Sequence, residues 1–171
     1  MIYDCFSFFN ELDVLEERLS YLYDYVDYFV ICESNTTHVG KQKLLFFDEN
    51  LQKINNYKDK IIHLIYEGKP EIENPWINEN LQRNYILKQL SLRLEDKIVI
   101  SDVDEIPSIL FIERLKYYNG VDILITIQEF SFFWPNYRRN DLPYWIGGSR
   151  GFNYKYLHEL RHLNMNYNRT F

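Results

Sequence analysis

The sequence predicts an α/β protein with a mostly parallel, Rossmann-like central sheet flanked by helices, and three observations carry that prediction. Short apolar runs rich in β-branched and aromatic residues alternate with longer segments of helical period. Several runs, such as Phe29-Val30-Ile31-Cys32, are continuously apolar, as a strand covered on both faces must be. The 171 residues are 46% hydrophobic and 26% charged, enough for a sizeable core within one domain covering the whole chain.

Residues 2–8 read as the first strand, and Leu12, Leu15, Leu19 and Leu22 behind them share one helical face, with Asn10 as the cap. Residues 28–33 form the second strand, which ends in the polar Glu33-Ser34-Asn35. Residues 47–57 read as helix, 61–66 as strand and 67–75 as loop. From 78 to 94, Leu81, Tyr85, Leu87, Leu90 and Leu94 recur at helical intervals with no proline or glycine to interrupt them. Residues 97–101 make another apolar strand, which runs into Asp102-Val103-Asp104-Glu105-Ile106-Pro107. Pro107 suits the first turn of a helix, where a missing N–H costs nothing, and that helix would carry Leu110, Phe111 and Leu115 inward. Residues 121–128 are a fifth strand, whereas 129–145, aromatic, basic and broken by Pro135 and Pro143, fit no single element. Gly147-Gly148-Ser149-Arg150-Gly151 reads as a flexible loop and 154–163 as a last helix.

The net charge of −6 disfavours a nucleic-acid partner, because a duplex-binding surface needs a cationic excess to displace counterions. The charge is uneven: from Glu129 onward the chain is net +3, so this part can face an anionic ligand. Cys5 and Cys32, the only cysteines, lack C-x-x-C spacing and read as reduced core residues. No stretch approaches the roughly 20 apolar residues of a transmembrane segment, and Met1-Ile2-Tyr3-Asp4 lacks the basic start of a signal peptide. The expectation is a cytoplasmic protein.

Asp102 and Asp104 stand two residues apart at the carboxyl end of a buried strand, the edge at which open α/β sheets bind ligands. Hard carboxylate oxygens suit Mn²⁺ or Mg²⁺ shared with substrate phosphates, so this D-x-D suggests a metal–diphosphate site. A second arrangement competes. His158-Glu159-Leu160-Arg161-His162 fits the zinc-hydrolase pattern H-E-x-x-H, but none of the nine residues after His162 is a His, Glu, Asp or Cys to serve as third ligand. His38 and His63 have no partners in the sequence and read as structural.

Several blocks together resemble glycosyltransferase family 17, whose best-known members add the bisecting N-acetylglucosamine to the core mannose of N-glycans. Asp102-Val103-Asp104-Glu105-Ile106-Pro107 is similar to the family's D-x-D-E-I-P block. Val30-Ile31-Cys32-Glu33-Ser34-Asn35-Thr36-Thr37, with Gly40, Lys43 and Leu44, is similar to its ESN-x-T-x-x-G block. The run from Tyr3 through Phe8, Asn10 and Asp13 resembles its N-terminal block, and Gln82-Arg83-Asn84 lies between.

The resemblance implies a GT-A fold, a UDP-sugar donor, most often UDP-N-acetylglucosamine, and a glycan or polysaccharide acceptor. Under it Asp104 would ligate Mn²⁺ or Mg²⁺, with Asp102 as second ligand, support or ribose contact. Phe8, Asn10, Glu33, Ser34, Asn35, Arg83 and Asn84 would form the rest of the donor site; Arg83 can make a bidentate contact to phosphate, although a solvated helix face accounts for Arg83 and Asn84 equally well. An inverting transfer needs a carboxylate base; the sequence does not single it out, and the candidates in order are Glu129, Asp141 and Glu105. The aromatic run Phe130, Phe132, Phe133, Trp134 and Tyr137, with Trp145, offers flat faces to an acceptor sugar, though core packing accounts for at least half of it. The alternative is a non-catalytic nucleotide-sugar- or glycan-binding module, or an inactive transferase, since the C-terminal part is short relative to the family.

Overall fold

The apolar runs become strands where the sequence predicts them. The computed structural model describes residues 1–70, 74–129 and 144–156. In chain order its elements are β1 (Ile2–Phe8), α1 (Leu12–Leu22), β2 (Tyr28–Ser34), the short helices α2 (Phe46–Glu49) and α3 (Leu51–Ile54), and a 3-10 segment (Asn55–Lys60). There follow β3 (Ile61–Tyr66), α4 (Pro75–Gln89), β4 (Lys97–Asp102), α5 (Ile109–Tyr117), β5 (Leu124–Glu129) and β6 (Tyr144–Asn153). The sheet order is β3-β2-β1-β4-β6-β5. β1 to β4 are mutually parallel, while β6 runs antiparallel to both β4 and β5.

Strand alternation divides the core into two layers. Ile2, Phe6 and Phe8 of β1, with Phe29 and Ile31 of β2 and Val99 of β4, pack beneath α1, α3 and α5 through Leu15, Leu19, Ile54, Ile112 and Leu115. Tyr3, Cys5, Val30, Cys32, Ile98, Ile100 and Phe152 face the other way, onto Ile86 and Leu87 of α4. Both cysteines are free and buried as expected, and burial pushes their thiols up, that of Cys32 to about 12. Neither is a nucleophile at neutral pH.

Helix ends differ from the sequence expectation for identifiable reasons. Asn10 is not the cap of α1: Glu11 holds that position, and its carboxylate accepts the N–H groups of Phe9 and Asn10. α4 starts at Pro75, with the Asn74 side chain accepting from Trp76 N at 3.2 Å, the proline-first signature the apolar spacing does not reveal. It ends at Gln89 rather than 94 because Leu90 is extended; Leu90 and Leu92 still pack on the sheet, so the apolar pattern outlasts the helix. In α5 the cap is Ser108, accepting from Phe111 N at 3.2 Å, and Pro107 lies before it. The helix consequently turns Ile112 and Leu115 inward and leaves Leu110 79% exposed.

The largest correction concerns 147–151, which is strand rather than loop. Gly151 sits where α5 crosses the sheet: a Cβ there would lie 2.9 Å from Leu115 Cδ2 and 2.9 Å from Phe111 Cζ. The glycines that suggest a turn are thus needed, at this position, for close helix–sheet packing. Strand β5 is Leu124–Glu129, and of the helix expected over 154–163 only 154–156 fall within the described residues, where they are helical.

Candidate active site

A cleft of about 1210 Å³ opens at the carboxyl ends of β1, β2 and β4, with α4 along one side and β6 along another. This is the sheet edge at which α/β proteins bind their ligands. Of the residues read from the sequence as functional, Phe8, Ser34, Arg83, Asp102, Asp104 and Glu105 line it.

The acidic block is a turn whose backbone faces the core while its acidic side chains at 102 and 104 face out. Glu105 N–H donates to the Asp102 carbonyl at 3.1 Å, and Asp102 N–H donates back to Glu105 Oε2 at 3.1 Å. Glu105 is thereby engaged in shaping the turn. Its carbonyl also accepts from the Ser149 hydroxyl of β6. Asp102 continues the side-chain row of Ile98 and Ile100 toward α4, where its Oδ1 takes a 2.6 Å bond from Arg83 Nη2. The same guanidinium nitrogen lies 2.9 Å from Glu79 Oε1, so Arg83 bridges two carboxylates. Asp104 is exposed on the cleft and makes no hydrogen bond or ion pair among the described residues.

Glu33 points the opposite way from Ser34. Fully buried and outside the cleft lining, its carboxylate takes Lys43 Nζ at 3.0 Å, Phe46 N–H at 2.7 Å and Phe47 N–H at 3.2 Å, which caps α2, and it stands 3.5 Å from His63 Nε2. Burial raises its pKa, but His63, Lys43 and the two backbone donors outweigh that and hold it below the usual carboxylate value. Asn35 is also absent from the cleft lining; its side chain accepts from Gly68 N–H at 3.1 Å and ties the ends of β2 and β3 together. Ser34 lines the cleft and accepts from Thr36 N–H at 3.1 Å. Asn10 lies outside the cleft, and the exposed Asn84 lines a small recess beside it. Glu129 is the last residue of β5, paired in register with Tyr144 of β6. Asp141, the aromatic run 130–137 and the H-E-x-x-H segment at 158–162 lie outside the described residues. No group of three potential metal ligands occurs among the described residues.

Sequence reading missed three features. Arg150, in a segment taken for loop, pairs with Ile100 in register, lines the cleft and has no hydrogen-bond or ion-pair partner among the described residues. Trp76, on the first turn of α4, lines the cleft and is 65% exposed. Arg18, on the inward face of α1, pairs with Asp4 at 2.6 Å, both side chains fully buried. The signal for Arg18 was present: it lies three residues after Leu15 and four before Leu22, within the apolar stripe.

An open α/β sheet with a cleft beyond the ends of its parallel strands defines the class, and the fold has a counterpart among solved structures. The chain is similar in fold to a crystal structure of 4-diphosphocytidyl-2C-methyl-D-erythritol synthase, with a TM-score of 0.53 over 92% of this chain and 76% of that one, at 13% identity. At that identity the likeness is one of fold alone, and it is consistent with the GT-A-like architecture. Residues 1–160 match the family model of glycosyltransferase family 17, and the chain belongs to that family. The beta-1,4-mannosyl-glycoprotein 4-beta-N-acetylglucosaminyltransferases of Homo sapiens and Rattus norvegicus are each 32% identical to it over 120 residues, and that of Mus musculus 31%. Those matches take in 65% of this chain and 22% of each relative, so the chain spans under a quarter of the length of the curated relatives it matches. Among the described residues no helix is long and apolar enough to cross a membrane.

Proposed function

We propose that this chain is a metal-dependent glycosyltransferase that moves a sugar, N-acetylglucosamine in the first instance, from a UDP-sugar donor to a glycan or polysaccharide acceptor. The observation that carries this reading is the acidic turn after β4, which opens into the cleft in a chain of family 17.

A divalent cation fits the donor set. Mn²⁺ and Mg²⁺ are commonly held by one or two protein carboxylates with the remaining positions filled by phosphate and water, so a cluster of three protein ligands is not required. Asp104 is the uncommitted carboxylate on the cleft and would be the direct ligand; Asp102, already bonded to Arg83 through Oδ1, would support it through its second oxygen. When bound, the cation neutralises charge that grows on the diphosphate leaving group as the glycosidic bond breaks.

The chain's own residues supply the rest. Arg83, fixed between Glu79 and Asp102, holds the acidic turn against α4 rather than offering a free fork to phosphate. Arg150 lines the same cleft without a partner among the described residues and is our candidate for the direct contact to the diphosphate. Ser34 and Phe8 border the part of the cleft nearest β1 and β2, and in this reading they would contact the nucleoside. The inverting transfer needs a base for the acceptor hydroxyl, for which Glu129 at the end of β5 is the first candidate and Asp141 the second. Glu105 is the weakest, because its carboxylate already caps Asp102 N–H.

A calorimetric titration with UDP in the presence and absence of Mn²⁺ tests the reading, followed by incubation with a panel of nucleotide sugars. Mn²⁺-linked UDP binding with donor turnover is expected. Binding without transfer or hydrolysis of any donor points instead to the non-catalytic module, and no binding at all overturns both.

A further inference from the structure

We infer that Arg18, through its buried pair with Asp4, is the positioning residue that sets the acidic turn, an inference that rests on the proposed reading of that turn as the metal–diphosphate site. Strand alternation puts Asp4 and Ser101 on the α1 side of the sheet, between the apolar rows of β1 and β4. Arg18 reaches both. Its Nε and Nη2 make a two-pronged contact with the Asp4 carboxylate at 2.8 and 2.6 Å, and Nη2 also donates to Ser101 Oγ at 2.6 Å. Nη1 donates to the carbonyls of Asp102 at 2.8 Å, Val103 at 3.1 Å and Glu105 at 3.4 Å. The guanidinium lies 4.3 Å from the centroid of the Phe6 ring.

All five N–H donors are therefore used, and three of their acceptors are carbonyls of the turn that carries Asp102 and Asp104, those of Asp102, Val103 and Glu105. Drawing those carbonyls inward is what turns the two aspartate side chains outward. A core position that needed only volume would carry a leucine, as Leu15, Leu19 and Leu22 do on the same face, because apolar residues commonly match or exceed a buried ion pair in stability. The geometry also demands arginine specifically: a lysine has one nitrogen and three donors, too few to hold Asp4, Ser101 and the three carbonyls together. Since Asp4 cancels the charge, Arg18 acts by geometry and not by its field on the cleft.

The test uses two variants of the whole chain, Arg18→Lys and the apolar replacement Asp4→Leu/Arg18→Met, with two readouts. Native-state hydrogen exchange reports the turn without any ligand, through the bonded amides of Asp102 and Glu105. UDP titration with and without Mn²⁺ reports the site. We expect the double variant to stay folded, melting somewhat lower because Ser101 and the turn carbonyls lose their donor, to exchange those two amides about tenfold faster and to lose Mn²⁺-linked UDP affinity by about tenfold or more, the usual scale for a supporting partner of a metal ligand. Mn²⁺-independent UDP binding should be unchanged, whereas a general loosening of the fold would weaken both. A folded variant with wild-type exchange and wild-type Mn²⁺ linkage overturns the inference. So does unfolding of both variants, which would make the cluster a requirement of the fold and not of the turn. If wild-type protein shows no Mn²⁺-linked UDP binding, the proposed function falls, and the exchange result alone decides whether Arg18 sets the turn.

Discussion

The polar blocks at the ends of β2 and β4 look alike in sequence and are opposite in use. Glu33 ends an apolar strand and sends its carboxylate into the protein, where it is met by an ammonium, a histidine and two backbone donors. Asp102 to Glu105 also follow an apolar strand, but there the backbone is tied down from within by Arg18 and Ser149 and the two aspartates face the cleft. The difference teaches that, at a strand end, a side chain can face the cleft when its backbone has been satisfied by something else.

Five variants can break or sharpen that contrast. Glu33→Ala should cost the most, about 3–5 kcal/mol in urea unfolding, since it strands the buried Lys43 ammonium and uncaps α2. A cost near zero would make Glu33 a cleft residue after all. Asp104→Ala should do the reverse, leaving stability within about 0.5 kcal/mol while Mn²⁺-linked UDP affinity falls by about a hundredfold in calorimetry. Unchanged affinity would remove Asp104 from the metal.

Acid should distinguish the blocks more gently. Because the native pKa of Glu33 lies below its unfolded value of about 4.5, its contribution is complete above that value and is lost as pH falls through the native one. Thermal melts should therefore show Glu33→Gln losing less stability than wild type on going from about pH 5 to about pH 3, and parallel profiles would contradict the assignment. Smallest are the effects at α5, where Ser108→Ala should cost about 1 kcal/mol by removing the cap. Leu110→Ala in the same helix should cost under about 0.5 kcal/mol. A large loss at Leu110 would restore the helix start at Pro107 that the sequence suggests.

That last pair shows where sequence reading succeeds and fails. Strands of the parallel half are buried on both faces, so each announces itself by composition alone, and β1 and β3 fall at their predicted residues. The acidic turn was readable for the same reason, as the polar end of such a run. β6 was not, because its glycines are demanded by a helix that is distant in sequence. The place of Glu33 is not legible in the sequence, since nothing local says which face of β2 an odd or even residue takes. Arg18 fell within an apolar stripe but carries a charge, and only the presence of Asp4 on a neighbouring strand explains how it can be buried.

Gly151 carries one more implication. Its neighbour Arg150 projects from the same strand toward the opposite side, so the rear of this strand meets Leu115 and Phe111 while the front carries a cation with no partner among the described residues. Adding a single methyl group at 151 would crowd Leu115 and Phe111, and whatever the two side chains could not yield would be taken up by the strand that carries the cation. Room behind the sheet thus governs the reach of a charge in front of it.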